Sequence, residues 1–165
     1  MVGRMPDELH LLIAPDDPRA DDVRSLVEQH LAFAHSQTVL EHAHALDLDG
    51  LLDPRLTFFS ARRGCELLAI GALVELNERE GEIKSMHTRT GLRGQGIGRR
   101  MLDHLLGVAR ERGYERVNLE TGTMASFEPA RRLYETVGFR RCAPFAGYPP
   151  SSDNTFMTLD LTTAP

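Results

Sequence analysis

Apolar positions recur along this 165-residue chain in two rhythms, one near 3.6 residues and one near two. The helical rhythm is clearest where Ile97, Met101, Leu102, Leu105, Leu106 and Ala109 return at three-, four- and one-residue steps. They form one apolar stripe and predict an amphipathic helix. Gly113 stops it, and Arg110 and Arg112 place cations in its last turn, where the helix dipole favours them. A second helix is predicted from about Pro18 to His35, with Asp16, Asp17 or Asp21 as its cap, and a third from about Thr38 to Leu46. A fourth runs from about Phe127 to Val137, with Pro129 in its first turn and Gly138 closing it. Strand-like runs occupy Glu8 to Ala14, Leu56 to Arg62, Glu66 to Leu76, a stretch beginning at Glu82, Tyr114 to Glu120, Phe139 to Cys142 and Thr155 to Leu161. Arg63-Gly64 and Asn77 to Gly81 read as turns between them. The order is strand, two helices, a three-strand meander, helix, strand, helix and two strands. No repeat, linker or low-complexity tract divides it, so one domain over residues 1–165 is expected.

A chain of this length can bury roughly 70% of its unfolded surface around one core. The net charge of −5 argues against a nucleic-acid binder. Locally the balance reverses, since the segment from Arg89 to Arg112 holds six arginines against Asp103 and Glu111. A basic loop in an acidic protein suits a polyanionic ligand. Cys65 and Cys142 lack metal or redox spacing and read as reduced thiols. No apolar run approaches about 18 residues, and MVGRMPDELH holds no signal-peptide core, so a soluble cytoplasmic protein is expected.

Between the strand starting at Glu82 and the central helix lies a turn with Gly94, Gly96 and Gly98, Arg93 before it and Arg99 and Arg100 after. Glycine lets the main chain take positive φ and lets a ligand approach the backbone. The first amides of a helix lack intrahelical partners and sit at its positive end, which makes an anion site suited to phosphate or pyrophosphate. A P-loop would need Lys and then Ser or Thr after the last glycine, and here Arg99 and Arg100 follow. The dinucleotide pattern G-x-G-x-x-G fails as well, because its third glycine falls on Arg99 or Met101. A plain glycine-rich strand-to-helix turn is the bland alternative.

The run Arg93 to Gly98 (RGQGIG) resembles the acyl-CoA pyrophosphate loop of the GNAT superfamily of N-acyltransferases. The element order agrees, and so does ARRLYETVGF, with Ala130, Leu133, Tyr134, Gly138 and Phe139. The blocks EIKSM and LETG, with Pro144-Phe145, Tyr148 and Phe156-Met157, further resemble the bacterial YsnE-like subgroup. The resemblance implies an α/β fold of the α+β type, with a mixed, mostly antiparallel sheet of about seven strands flanked by about four helices. It implies acetyl-CoA as acyl donor, a small-molecule amine or amino-acid-like acceptor, no metal, no nucleic acid and no membrane. It is compatible with a homodimer.

By position in the motif, main-chain groups of Met86 and Thr88, on either side of His87, would pair with pantetheine. The amides of Gly94, Gln95, Gly96, Ile97 and Gly98 would hold pyrophosphate, with the Arg93 and Arg99 side chains nearby; Arg100 reads as solvated surface. Tyr134 matches the tyrosine assigned as proton donor to the departing sulfur, or is a packed core tyrosine. With Tyr near 10 and a thiol near 8.5, full transfer is uphill by about 2 kcal/mol, so a hydrogen bond can suffice. Glu82 matches the general-base glutamate of some members, and Glu120 is a second candidate. Either could instead orient the amine or end a strand. A carboxylate near 4.3 facing an ammonium near 10.4 is too weak a base by about 8 kcal/mol in water, so a shifted pKa or a water relay is needed. Phe127 replaces the asparagine common in the second motif, so a polar contact to the cofactor is expected to be absent or moved to Ser126 or Thr123. His30, His35, His42 and His44 lack metal spacing and read as surface histidines, although His35, His42 or His44 can reach the acceptor from the first two helices. Phe145 and Tyr148 either close over the acceptor or pack beneath the proline-rich loop, and Cys142 lacks a paired histidine for a nucleophile's role. The rivals are a non-catalytic CoA-binding sensor and an ATP-binding protein.

Overall fold

A computed structural model describes residues 10–38 and 44–163. Seven strands form one sheet: β1 (Leu11–Pro15), β2 (Leu56–Arg63), β3 (Glu66–Asn77), β4 (Glu80–Thr88), β5 (Arg116–Gly122), β6 (Arg140–Arg141) and β7 (Asn154–Asp160). Among the described residues three α-helices flank it: α1 (Asp21–Gln37), α2 (Ile97–Glu111) and α3 (Glu128–Val137). The strand order is β1-β2-β3-β4-β5-β7-β6, and every pair is antiparallel except β4 with β5. A parallel pair needs a crossover, which α2 supplies. The mixed, mostly antiparallel α/β architecture is thus the one expected.

Short strands of alternating and β-branched residues cannot bury both faces alone, so helices cover each. The stripe of α2 (Met101, Leu102, Leu105) packs fully buried on one face, with Tyr134 of α3 and Leu73, Ile83, Leu119 and Met157 of the sheet. On the other face Val23, Leu26 and Val27 of α1 pack against Phe58, Leu67, Ile70 and Ala72. Arg62 fastens α1 by bridging Asp16 (2.9 Å) and Asp22 (2.6 Å).

Several boundaries differ from expectation. None of the three aspartates caps α1, whose N-cap is Ala20 without a side-chain bond. Asp16 instead accepts from Ser60 and Arg62, cross-strand hydroxyl and guanidinium donors that outcompete a helix amide, and Asp17 is taken up locally by the amide and guanidinium of Arg19. The helix expected over Thr38 to Leu46 falls mostly on residues 39–43, outside those described; Thr38 is extended (φ −135°) and residues 44–47 carry no regular structure. Of the strand expected from Glu8, residues 8–9 likewise lie outside. Phe127 ends a short 3-10 turn (Ala125–Phe127), and α3 begins at Glu128.

One irregularity shapes the centre. Ile70 pairs with His87 and Ala72 with Lys84, so Ser85 and Met86 oppose Gly71 alone. This is a β-bulge, and Ser85 takes the left-handed φ of 55°. A Cβ on Gly71 would stand 3.0 Å from Met101 Cγ, so the missing side chain lets α2 sit tightly under the bulge. Holding a non-glycine residue there costs about 1–2 kcal/mol. Ser85→Gly is therefore expected to fold at least as stably as the parent, and Ser85→Val to lose about 1–2 kcal/mol, measured by urea unfolding.

Candidate active site

β4 and β5 pair only from Glu80↔Arg116 to Ile83↔Leu119. Beyond that point β5 stays with β7, through Glu120↔Phe156 to Gly122↔Asn154, and β4 stays with β3. The main-chain edges of residues 84–88 and 120–122 therefore diverge without a strand between them. A cavity of about 460 Å³ opens in the fork. Both strand ends line it, the glycine loop and the first turn of α2 form one end, and α1, α3 and residues 44–45 wall it.

At the loop end, Gly94 and Gly96 adopt φ of 79° and 80°, and a Cβ on either would meet nothing within 4 Å. Backbone conformation, rather than crowding, is what requires glycine at these two positions. Gly96 is the N-cap of α2 and offers no side-chain cap, and the first turn holds no acidic residue. The first amide bonded back into the helix is that of Arg100, to the Gly96 carbonyl at 3.1 Å. The preceding amides remain as donors at the positive helix end, which fits a diphosphate. Gly94, Gly96, Ile97, Gly98, Arg93 and Arg99 all line the cavity. Gln95 does not: its side chain is exposed. Arg93 lies 5.4 Å over the Phe33 ring and donates a long 3.5 Å bond to the Thr88 carbonyl. Arg99 pairs with Asp103 at 3.0 Å, and Arg100 lies in a separate groove beside His104.

At the other end stand Tyr134 and Glu120, both lining the cavity. Tyr134 is buried, its ring edge-on to Phe139 at 5.8 Å. Burial, and next the charge of Glu120, push its phenol up to about 12, so it holds its proton at neutral pH. Glu120 accepts from Asn154, yet burial outweighs that bond and raises its carboxyl above the usual range. Glu82 is also buried but does not line the cavity. Its Oε1 accepts from Tyr148 Oη at 2.6 Å and Lys84 Nζ at 3.3 Å, and Lys84 donates to Tyr148 at 2.5 Å. Tyr148 is therefore locked under the proline-rich loop, with Phe145 at 5.4 Å and Phe156 at 5.7 Å.

Of the backbone positions, Met86, His87 and Thr88 line the fork. The His87 side chain turns to α1, where its Nδ1 lies 3.3 Å from His30 Nδ1. Burial depresses both imidazoles to about 4, helped at His30 by His87 and at His87 by Arg93. His30 is thus no surface histidine. His44 lines the cavity and stacks edge-on to Tyr148 at 4.9 Å, whereas His35 is exposed and His42 lies outside the described residues. Phe127 meets Phe33 at 5.2 Å across the fork. Ser126 lines the cavity, but Thr123 does not and bonds the Ser152 carbonyl at 2.9 Å. Arg131 holds the end of β5 by donating to the carbonyls of Gly122 (2.6 Å) and Met124 (3.0 Å).

Sequence reasoning did not find the Lys84–Glu82 pair, the Arg131 contacts or the meeting of His30 with His87. One signal was present: opposite charges at Glu82 and Lys84, two apart in a strand, share a face. Nothing in the spacing of His30 and His87 announces their contact.

The sequence profile described as the acetyltransferase (GNAT) family matches residues 23–139. The uncharacterized N-acetyltransferase YsnE of Bacillus subtilis is 48% identical over 156 residues, covering 93% of this chain and all of that protein. Among solved structures, a candidate acyl-CoA N-acyltransferase of Klebsiella pneumoniae is 27% identical, with TM-score 0.78 over 93% of this chain and 99% of that one. A Bacillus subtilis acetyltransferase crystallised in complex with CoA is 21% identical, with TM-score 0.69 over 92% and 99%; at that identity the likeness is one of fold.

The neutral histidine pair carries a pH signature. Unfolded imidazoles near 6.5 bind protons that the folded pair, near 4, rejects, so stability rises with pH across that window. Stability is expected to fall as pH drops from about 6.5 toward 4, and His87→Gln should shallow the slope, followed by denaturant unfolding at stepped pH.

Proposed function

We propose that this chain, which belongs to the acetyltransferase (GNAT) family and is an acyltransferase, moves an acetyl group from acetyl-CoA to a small-molecule amine or amino-acid-like acceptor by direct attack on the thioester. The observation that carries this reading is the fork between β4 and β5, which joins an anion-binding helix start to a buried phenol and carboxylate. The relative solved with CoA supports a coenzyme in this fold. CoA diphosphate rests on the free amides of the loop and of the first turn of α2, with Arg99 beside it. Arg93 leaves the Phe33 ring to join it. Pantetheine amides pair with the unpartnered edge of β4 at Met86 and Thr88.

The acceptor enters beside Glu120 rather than Glu82, because Glu120 lines the cavity and Glu82 is engaged by Lys84 and Tyr148. The raised Glu120 carboxyl narrows the gap to an ammonium and takes its proton, directly or through a water. The amine nitrogen then forms its bond to the acetyl carbon as the carbon–sulfur bond breaks, and the sulfur leaves as thiolate. The proton still carried by the acylated nitrogen passes to that thiolate, directly or through water, leaving the neutral amide and CoA thiol. With Tyr134 near 12, full proton transfer to a thiolate of pKa near 8.5 is uphill by about 5 kcal/mol, so Tyr134 donates a hydrogen bond that strengthens as charge builds on sulfur. The rest of the rate comes from holding amine and thioester together. The reading includes one domain, a homodimer and a cytoplasmic location, the last supported by free Cys65 and Cys142. Among the described residues no helix is long and apolar enough to cross a membrane.

Acetyl-CoA turnover over a panel of amines tests the assignment. Glu120→Gln is expected to lower kcat/KM by about 10²-fold or more, and Tyr134→Phe to lower kcat by about 10- to 100-fold with CoA affinity nearly intact. Gly96→Asp should abolish CoA binding, seen by calorimetry, by setting a carboxylate at the positive helix end in a backbone conformation that disfavours it. Tight CoA binding without turnover of any amine would point to a sensor, and protection from thermal unfolding by Mg-ATP but not CoA to a nucleotide binder.

A further inference from the structure

Lys84 is an ammonium with only 10% of its side chain exposed, and Glu82 beside it has 5%. A buried ion pair is retained only where its geometry is good and its remaining valences are filled, since desolvation opposes it. Here both partners share a third group, Tyr148 Oη, which donates to Glu82 at 2.6 Å and accepts from Lys84 at 2.5 Å. The three form a closed triangle between β4 and the proline-rich loop. The Tyr148 hydroxyl cannot release its proton readily, because burial and next the Glu82 charge push its pKa upward. It therefore acts as a fixed donor.

We propose that Glu82, Lys84 and Tyr148 are positioning residues: a buried charge clamp that docks the proline-rich loop on β4 and sets the electrostatic field at the cavity carboxylate Glu120. The inference rests on Glu120 as the proton acceptor in the proposed reaction. Glu82 and Lys84 share one face of β4, and Glu120 stands on the neighbouring strand beyond Ile83↔Leu119, where the strands fork. The groups that act on Glu120 come from each surrounding element: Lys84 and Glu82 from β4, Asn154 from β7, Tyr134 from α3 and Tyr148 from the loop. Lys84 favours the charged carboxylate and Glu82 disfavours it, while burial, the largest influence, outweighs the Asn154 bond and Lys84 together. The two clamp charges nearly cancel for a distant group but not for one placed unequally from them. Glu120 is therefore kept basic by burial while Lys84 offsets part of that rise. The clamp also explains why a glutamate of this strand can be buried without facing the cavity.

The test removes the charges singly and together. In Glu82→Gln the acidic limb of the kcat/KM–pH profile is expected to move to lower pH, and in Lys84→Met to higher pH, each by about half a unit to one unit, as charge changes at a neighbouring group produce. The double variant Glu82→Gln/Lys84→Met, which leaves no unpaired buried charge if the Lys84→Met protein folds poorly, should return the limb close to the parent's. Tyr148→Phe should leave the limb near its place but loosen the loop, read as faster amide hydrogen exchange over residues 143–153. A titration of the free protein carrying ¹³C-labelled glutamate carboxyls, with the Glu120 signal assigned by its loss in Glu120→Gln, reads the same shifts without turnover. Limbs and carboxyl titrations that stay fixed, or move in one direction in both single variants, overturn the clamp and leave a merely structural pair. If the carboxyl titration moves in opposite directions and the kinetic limb does not follow, the clamp stands and the assignment of Glu120 as proton acceptor fails.

Discussion

A parallel strand pair that ends after four residue pairs governs the arrangement of this molecule. Buried main-chain amides and carbonyls must find partners, so a sheet does not part in its interior without something to hold it open or fill the gap. Several features hold it. The bulge at Ser85, with Gly71 opposite and Met101 pressed beneath, turns β4 away from β5. Arg131 takes up the carbonyls of Gly122 and Met124 where β5 runs out. Phe33 and Phe127 meet across the opening and shield it from one side. A Cβ on Gly122 would strike the Phe127 ring at 2.3 Å, so this packing depends on glycine at the end of β5.

The fork also sorts charge. Its loop end gathers Arg93, Arg99 and the helix amides, and its far end holds Glu120 and Lys84, with Glu82 behind Lys84 as its ion-pair partner. Between them the histidine pair stays neutral, held so chiefly by burial. An elongated ligand with an anionic head and a neutral reactive end fits that gradient, and an ammonium is drawn to the opposite end. Orientation of the two substrates is thus written into the electrostatics before any contact forms.

Much of this was legible in the sequence. The stripe from Ile97 to Ala109 fixed α2 because both period and register are local, and the glycines before it marked the positive-φ cap for the same reason. The cavity positions of Met86, His87, Thr88 and Tyr134 follow from motifs that carry their own strand or helix. What escaped depends on partners distant in sequence. His30 meets His87 across 57 positions and Tyr148 meets Glu82 across 66, and no periodicity encodes such meetings. Asp16 misled because its local capping preference was overridden by Ser60 and Arg62 on a neighbouring strand.

The same distinction decides between the two glutamates. Glu82 was singled out by its place in a strand motif, which specifies a backbone position but not what the side chain meets. In the fold its Oε1 has an ammonium and a phenol within hydrogen-bond reach, and its side chain does not line the cavity. Glu120 keeps a single neutral donor, Asn154, and a face on the cavity. A base that must first break an ion pair in a low-dielectric setting adds that loss to its barrier, whereas a carboxylate made basic by burial alone has already met it in folding. Charge already compensated is poorly suited to proton abstraction, which is why the proposed reaction assigns the base to the less conspicuous of the two carboxylates.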